Sequence, residues 1–174
     1  TSQLGRLDGL ASCASFLGSL TPLEYYDPAL WARTLQVDLN APFLLLRACM
    51  PALRRAPRAS VVISTADVGR RGRAFWGAYA VANAGLERMV EMLAEELENN
   101  TAVRVNSLDP GAVRTWLRRG AYPAENPQRL PAPESVIPAY LYLLGDDSAG
   151  VNGKALAAQA PEAAGERQGS SSRN

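Results

Sequence analysis

Few residue types in this sequence can move a proton near neutral pH. The 174 residues include no histidine, and Lys154 is the only lysine among the 18 basic residues. Arginine keeps its proton in proteins and cannot serve as a base. Acid–base chemistry must therefore rest on tyrosine, a carboxylate, cysteine or Lys154. With no histidine and only Cys13 and Cys49, we predict no metal site and expect both thiols to be small buried residues.

The overall composition is that of an ordinary globular protein. Hydrophobic residues make up 47% of the chain, and the formal net charge is +1, which does not favour nucleic acid as a partner. The most apolar stretch, around Phe43–Leu46, ends at Arg47 and is too short for a membrane span. Because the first residue is Thr1, we expect a processed product or a fragment. Two cysteines do not call for an oxidising compartment, so the cytoplasm is the expected location.

Four short apolar runs predict buried strands, and stretches with helical spacing lie between them. The strands are expected at Leu7–Cys13, Ser60–Thr65, Val103–Leu108 and Ala155–Ala158. The helices are expected at Pro28–Arg55, which Pro42 should kink, and at Tyr79–Asn99 and Pro133–Leu144. A long loop is expected at Arg119–Pro133 and a disordered tail at residues 161–174, which leaves one domain over residues 1–160.

This alternation of strands and helices predicts βαβ units and a parallel α/β sheet of the Rossmann type, with helices on both faces. Ligands of such sheets bind beyond the carboxyl ends of the strands. The segments that follow the first three strands therefore become the places to search for functional residues. They are Ala14–Gly18, Ala66–Arg70 and Asp109–Thr115.

Four motifs, in this order, carry a family resemblance: LDGLASCAS, LQVDLNAPF, SVVISTADVGRRGRAFWGAYAVANAGLERM and VRVNSLDPGAVRT. The stretch from Leu7 to Gln159 resembles a short-chain dehydrogenase/reductase, closest to a bacterial subgroup of oxidoreductases with little-defined substrates. The resemblance implies a doubly wound Rossmann sheet, NAD or NADP as cofactor, and oxidation or reduction of a hydroxyl or carbonyl group. It also implies that roughly 70–80 residues of the first half, with the Gly-rich phosphate turn, are missing.

The resemblance assigns the family's functional positions to residues of this chain, several of which differ in type. Tyr79 matches the catalytic tyrosine, but Asn83 stands for the family's lysine, Ala66 for its serine and Asp38 for its asparagine. The family's Asn-Asn-Ala-Gly turn is replaced by residues 12–15, Ser-Cys-Ala-Ser. The loop that closes over the nicotinamide end of the cofactor would contribute Pro110, Gly111, Val113 and Thr115.

These replacements remove the groups that activate the tyrosine in the family. A free phenol has a pKa of about 10, and the family's lysine ammonium favours its phenolate form. Asn83 has no charge and Ala66 has no hydroxyl. Ser64 lies on the same side of its strand as Ala66 but roughly 6–7 Å away, and Thr65 points to the other face. We expect little or no oxidoreductase activity, and weak or no binding of NAD(P).

Three functional interpretations stay open. The first is an impaired oxidoreductase, the second a non-catalytic scaffold or partner-binding subunit that keeps the fold, and the third a product with no selected role. The helices within residues 28–55 and 79–99 resemble the pair that forms four-helix contacts in the family, so a homodimer or homotetramer is expected through them. The strand Leu7–Cys13 should present an open sheet edge unless another segment covers it.

Overall fold

The computed structural model describes residues 5–159, and its centre is one parallel sheet of four strands. The strands are β1 (Gly9–Ser12), β2 (Ala59–Ser64), β3 (Val103–Asp109) and β4 (Ala155–Ala157), in the spatial order β1-β2-β3-β4. All four predicted strands are confirmed to within two residues at each end. The predicted tail at residues 161–174 lies outside the described residues.

Helices cover both faces of the sheet, as the alternation of elements predicts. They are α1 (Pro28–Leu35), α2 (Ala41–Leu53), α3 (Gly77–Glu98), α4 (Trp116–Ala121) and α5 (Ile137–Leu144). Strand β2 is apolar on both sides: Val61 and Ile63 pack in the core formed with α2 and α3, while Val62 packs with Leu143 of α5. Each of these β2 side chains is at most 1% exposed, which is typical of a central parallel strand.

The single helix predicted for Pro28–Arg55 is wrong in detail. The chain forms α1, then a π-helical turn at Gln36–Asn40, then α2, which ends at Leu53. Pro42 has no N–H to donate to the carbonyl of Asp38, and its ring crowds that carbonyl, so the helix widens just before it. The expected distortion at Pro42 therefore takes the form of a π turn that carries Asp38.

Three further expectations need correction. The predicted loop Arg119–Pro133 contains the end of α4 and a 3-10 turn at Pro127–Arg129, because Thr115 caps α4 by accepting the Arg118 N–H at 3.1 Å. The helix predicted from Pro133 begins as a 3-10 turn, since Pro138 cannot donate to an α-helical partner. The cysteines are not buried: Cys13 is exposed and Cys49 is partly exposed.

Candidate active site

Tyr79 lies in the first turn of α3, near the carboxyl ends of the strands. Its side chain is 6% exposed and packs in a small apolar cluster with Val68 and Trp76, whose ring centroid is 5.8 Å from that of Tyr79. The Trp76 ring in turn lies 5.8 Å from the ring of Tyr122. The phenol is therefore held in a fixed place, in a largely apolar environment.

The environment of Tyr79 keeps its proton on. Burial is the largest cause that raises the pKa of the phenol, to about 12 in all; the hydrogen bond with Ser15 opposes the rise, Asp38 and Asp109 add to it, and Asn83 opposes it weakly. The Asn83 amide donates to the main-chain carbonyl of Tyr79 at 2.9 Å, so it is used within the helix. Where the family has a cation beside the phenol, this chain has a neutral amide and two nearby carboxylates.

Asp38 is a buried carboxylate with an unsatisfied oxygen. The side chain is 2% exposed; its Oδ1 accepts the Phe16 N–H at 2.6 Å, while its Oδ2 has no hydrogen-bond partner. Burial raises the pKa of Asp38 to about 6, although the Phe16 N–H and the Ser15 hydroxyl partly oppose that rise. An unsatisfied buried charge is costly, so this position disfavours the ionised form.

Asp109 ends β3 and is the second carboxylate near Tyr79. Burial raises its pKa, although the Gly111 N–H donates to its Oδ1 at 2.8 Å and Arg70 provides an opposing positive charge. Arg70 itself pairs with Glu87 at 2.7 Å. Sequence reasoning marked the segments that contain Ser15 and Asp109 but assigned neither residue a role; the signal was their position at, or a few residues past, the carboxyl end of a strand.

The hydroxyls nearest in sequence to Ala66 are engaged elsewhere. Ser64 Oγ forms a hydrogen bond of 2.6 Å with the Tyr140 hydroxyl, and Thr65 Oγ1 donates to Glu87 at 3.0 Å. The exposed Lys154 precedes β4 and is absent from the groups that act on the pKa of Tyr79. The hydroxyls of Ser64 and Thr65 are thus bonded to side chains other than that of Tyr79.

The proposed cofactor residues lie on one ordered loop after β3. Gly111 has a φ of +73°, a left-handed conformation that favours glycine. The Gln159 amide donates to the carbonyl of Pro110 at 2.7 Å and thereby ties the loop to the segment after β4. Val113 is buried, and the exposed Thr115 caps α4. These residues could meet the nicotinamide end of a dinucleotide.

A dinucleotide also needs a place for its pyrophosphate, and residues 5–159 do not provide one. Such a place in this fold is a Gly-rich turn that joins a strand directly to a helix N-terminus. Here β1 ends at Ser12 and α1 begins only at Pro28, and the Asp27 side chain already accepts the Leu30 N–H at 2.6 Å. The described residues therefore do not fit a whole NAD(P) molecule.

Together, the parallel sheet and the tyrosine near the carboxyl ends of its strands define a Rossmann-type α/β protein. The family model described as enoyl-(acyl carrier protein) reductase matches residues 1–160. YciK, an uncharacterised oxidoreductase of Escherichia coli K12, is 41% identical over 154 residues, which are 88% of this chain and 60% of YciK. The chain belongs to the short-chain dehydrogenase/reductase family.

Solved structures of relatives agree with this assignment. A short-chain dehydrogenase of Pseudomonas syringae matches with a TM-score of 0.89 and 50% identity, over 91% of this chain and 64% of that one. A short-chain dehydrogenase of Escherichia coli CFT073, solved with NADPH, matches with a TM-score of 0.88 and 40% identity over 91% of this chain and 65% of that one. This chain thus spans less than two thirds of these relatives. Within residues 5–159, no helix is both long and apolar enough to cross a bilayer.

Proposed function

We propose that this chain is a catalytically impaired short-chain dehydrogenase/reductase. Its ancestral reaction is the NAD(P)-dependent oxidation or reduction of a hydroxyl or carbonyl group. The observation that carries the proposal is the electrostatic environment of Tyr79, whose pKa of about 12 results from burial and from Asp38 and Asp109. A phenol with this pKa is ionised in about one molecule in 10⁵ at pH 7, about a hundredfold less than free tyrosine.

The residues that surround Tyr79 are expected to impair both oxidation and reduction. For oxidation, the phenolate has to accept a proton, and it is scarce. For reduction, a phenol with a raised pKa is a weaker acid toward the developing alkoxide. Position 66 offers no hydroxyl to orient a substrate oxygen. The family relationship to a structure solved with NADPH supports NADP(H) as the ancestral cofactor, although the described residues lack the pyrophosphate turn.

The test combines turnover with cofactor binding. The unmodified chain and the double variant Ala66→Ser/Asn83→Lys are assayed for NADPH oxidation with a panel of carbonyl compounds, and NADPH fluorescence is titrated separately. We expect no turnover and weak binding for the unmodified chain. Turnover by the unmodified chain contradicts the impairment, and submicromolar NADPH binding contradicts the absence of a pyrophosphate site. Activity in the double variant alone supports recent loss of catalysis.

A second candidate function is a non-catalytic scaffold that forms a homodimer or homotetramer through the helices within residues 28–55 and 79–99. An apolar cleft between α2 and α3 favours it, since Phe43 and Met92 in its wall are 50% and 53% exposed. Arg47 and Glu96 also line this cleft, so two copies related by a twofold axis could pair opposite charges around an apolar centre.

Light scattering after size exclusion tests this candidate. We expect a dimer or tetramer for the unmodified chain and a monomer for Phe43→Glu. The matched control is Tyr25→Glu, since Tyr25 is 73% exposed but lies outside both helical segments. A monomeric unmodified chain, or equal loss of assembly in the control, contradicts the scaffold through these helices.

A further inference from the structure

A cleft of about 490 Å³ opens beside α4, on the segment that follows the cofactor loop. Its apolar wall includes Trp116, Tyr122 and Leu130, and two arginines, Arg114 and Arg119, also line it. Its volume lies within the range of small-molecule sites, roughly 300–1,000 Å³. Neither Asp38 nor Tyr79 is among the lining residues, so the cleft has its own set of contacts.

Within residues 5–159, no carboxylate forms an ion pair with either arginine that lines this cleft. Arg114 contacts the neutral amide of Gln128 at 3.4 Å, and Arg119 lies over the Trp116 ring at 5.4 Å. The carboxylate that lines the cleft, Glu125, is already held by two hydrogen bonds of 2.7 Å from Arg118. The cleft therefore has an excess of positive charge.

The same cleft exposes an unusual amount of aromatic surface. The Trp116 side chain is 83% exposed, although tryptophan is highly buried on average. The wall behind it is rigid, because the Arg118 guanidinium lies 4.0 Å from the centre of the Tyr122 ring while it binds Glu125. A fixed apolar surface beside two guanidinium groups is a surface for an anion with a flat apolar body.

We propose that this cleft binds a small aromatic carboxylate. The carboxylate accepts hydrogen bonds from Arg114 and Arg119, and the ring lies against Trp116 and Leu130. Guanidinium groups match the planar carboxylate in a way that lysine would not. Binding requires neither a proton on Tyr79 nor turnover, so the proposal goes beyond the impaired oxidoreductase and stands if that assignment fails.

The experiment compares two ligands of the same shape by calorimetry on the full chain, without NADP. The probes are 2-naphthoate and its neutral counterpart 2-naphthamide. We expect naphthoate to bind at least about tenfold more tightly than naphthamide, and Arg114→Gln or Arg119→Gln to remove about tenfold of the naphthoate affinity without changing that of naphthamide. Trp116→Ala should weaken both ligands.

The matched control is Arg71→Gln, an exposed arginine that does not line the cleft, which should change neither affinity. Equal affinity for the two probes, or full naphthoate affinity in both cleft arginine variants, overturns the proposal. Thr115 belongs both to the cleft and to the cofactor loop, so NADP⁺ is added as a competitor. One-for-one displacement of naphthoate by NADP⁺ overturns it as well, because it would assign the arginines to the cofactor. Circular dichroism verifies that each variant is folded.

Discussion

Replacing Asp38 by asparagine should stabilise this protein at neutral pH, although the change removes a charge from the candidate active site. The Asp38 carboxyl is 2% exposed, and burial raises its pKa from 3.8 to about 6. Each unit of pKa difference between the folded and unfolded chain corresponds to about 1.4 kcal/mol, so ionised Asp38 lowers the free energy of unfolding by about 3 kcal/mol.

The pH dependence gives the prediction its direction. The pKa of Asp38 is higher in the folded chain than in the unfolded chain, so the protonated carboxyl favours the folded state. This contribution to the free energy of unfolding is fully present below about pH 4, is lost as the pH rises toward 6, and stays lost at pH 7. Asparagine keeps an oxygen that can accept the Phe16 N–H but does not ionise. We therefore expect the free energy of unfolding of Asp38→Asn to exceed that of the unmodified chain by about 3 kcal/mol at pH 7, and to be nearly equal to it at pH 4.

Urea titrations followed by circular dichroism at pH 4, 5, 6 and 7 measure this difference. The control Asp147→Asn replaces an exposed carboxylate and should show no comparable trend. The reasoning is refuted if Asp38→Asn is less stable than the unmodified chain at pH 7, or if its effect is the same at pH 4 and pH 7.

Two further predictions concern packing and one concerns a hydrogen-bond network. A Cβ added at Gly69 would lie 2.7 Å from the backbone of Asn83, so Gly69→Ala should lower the free energy of unfolding by about 1–3 kcal/mol in the same urea titration. The control Gly72→Ala should leave it nearly unchanged, because a Cβ at Gly72 would meet no atom within 4 Å. Leu53 is fully buried, and Leu53→Ala should cost about 2–5 kcal/mol by the same measurement. The Arg104 guanidinium makes four hydrogen bonds to the chain at and just after the end of α5. Arg104→Met should therefore lower the free energy of unfolding by about 3 kcal/mol and speed hydrogen exchange in α5; unchanged exchange would contradict this role.

Local patterns were sufficient for most of the architecture. The apolar run at Val61–Ile63 favours a central strand, because consecutive β-branched residues pack well on a strand that is buried on both faces. The alternation of such runs with helical spacing specifies a parallel sheet. Helix details escaped prediction where prolines act: the π turn before Pro42 and the 3-10 turn at Pro133–Val136 depend on which hydrogen bonds a proline ring forbids in a packed helix.

At the candidate site, residue types alone reveal which groups are lost, whereas the fold reveals which groups surround Tyr79 instead. The types of residues 66 and 83 are enough to remove a hydroxyl and an ammonium from the chemistry of Tyr79. The raised pKa values of Asp38 and Tyr79 emerge only from the folded chain. The same holds for the position of Arg114 and Arg119 beside Trp116, where neither pairs with a carboxylate of residues 5–159. Burial and electrostatic interaction depend on distances through space, and residues 38, 79 and 109 come together only when the sheet and its helices are assembled.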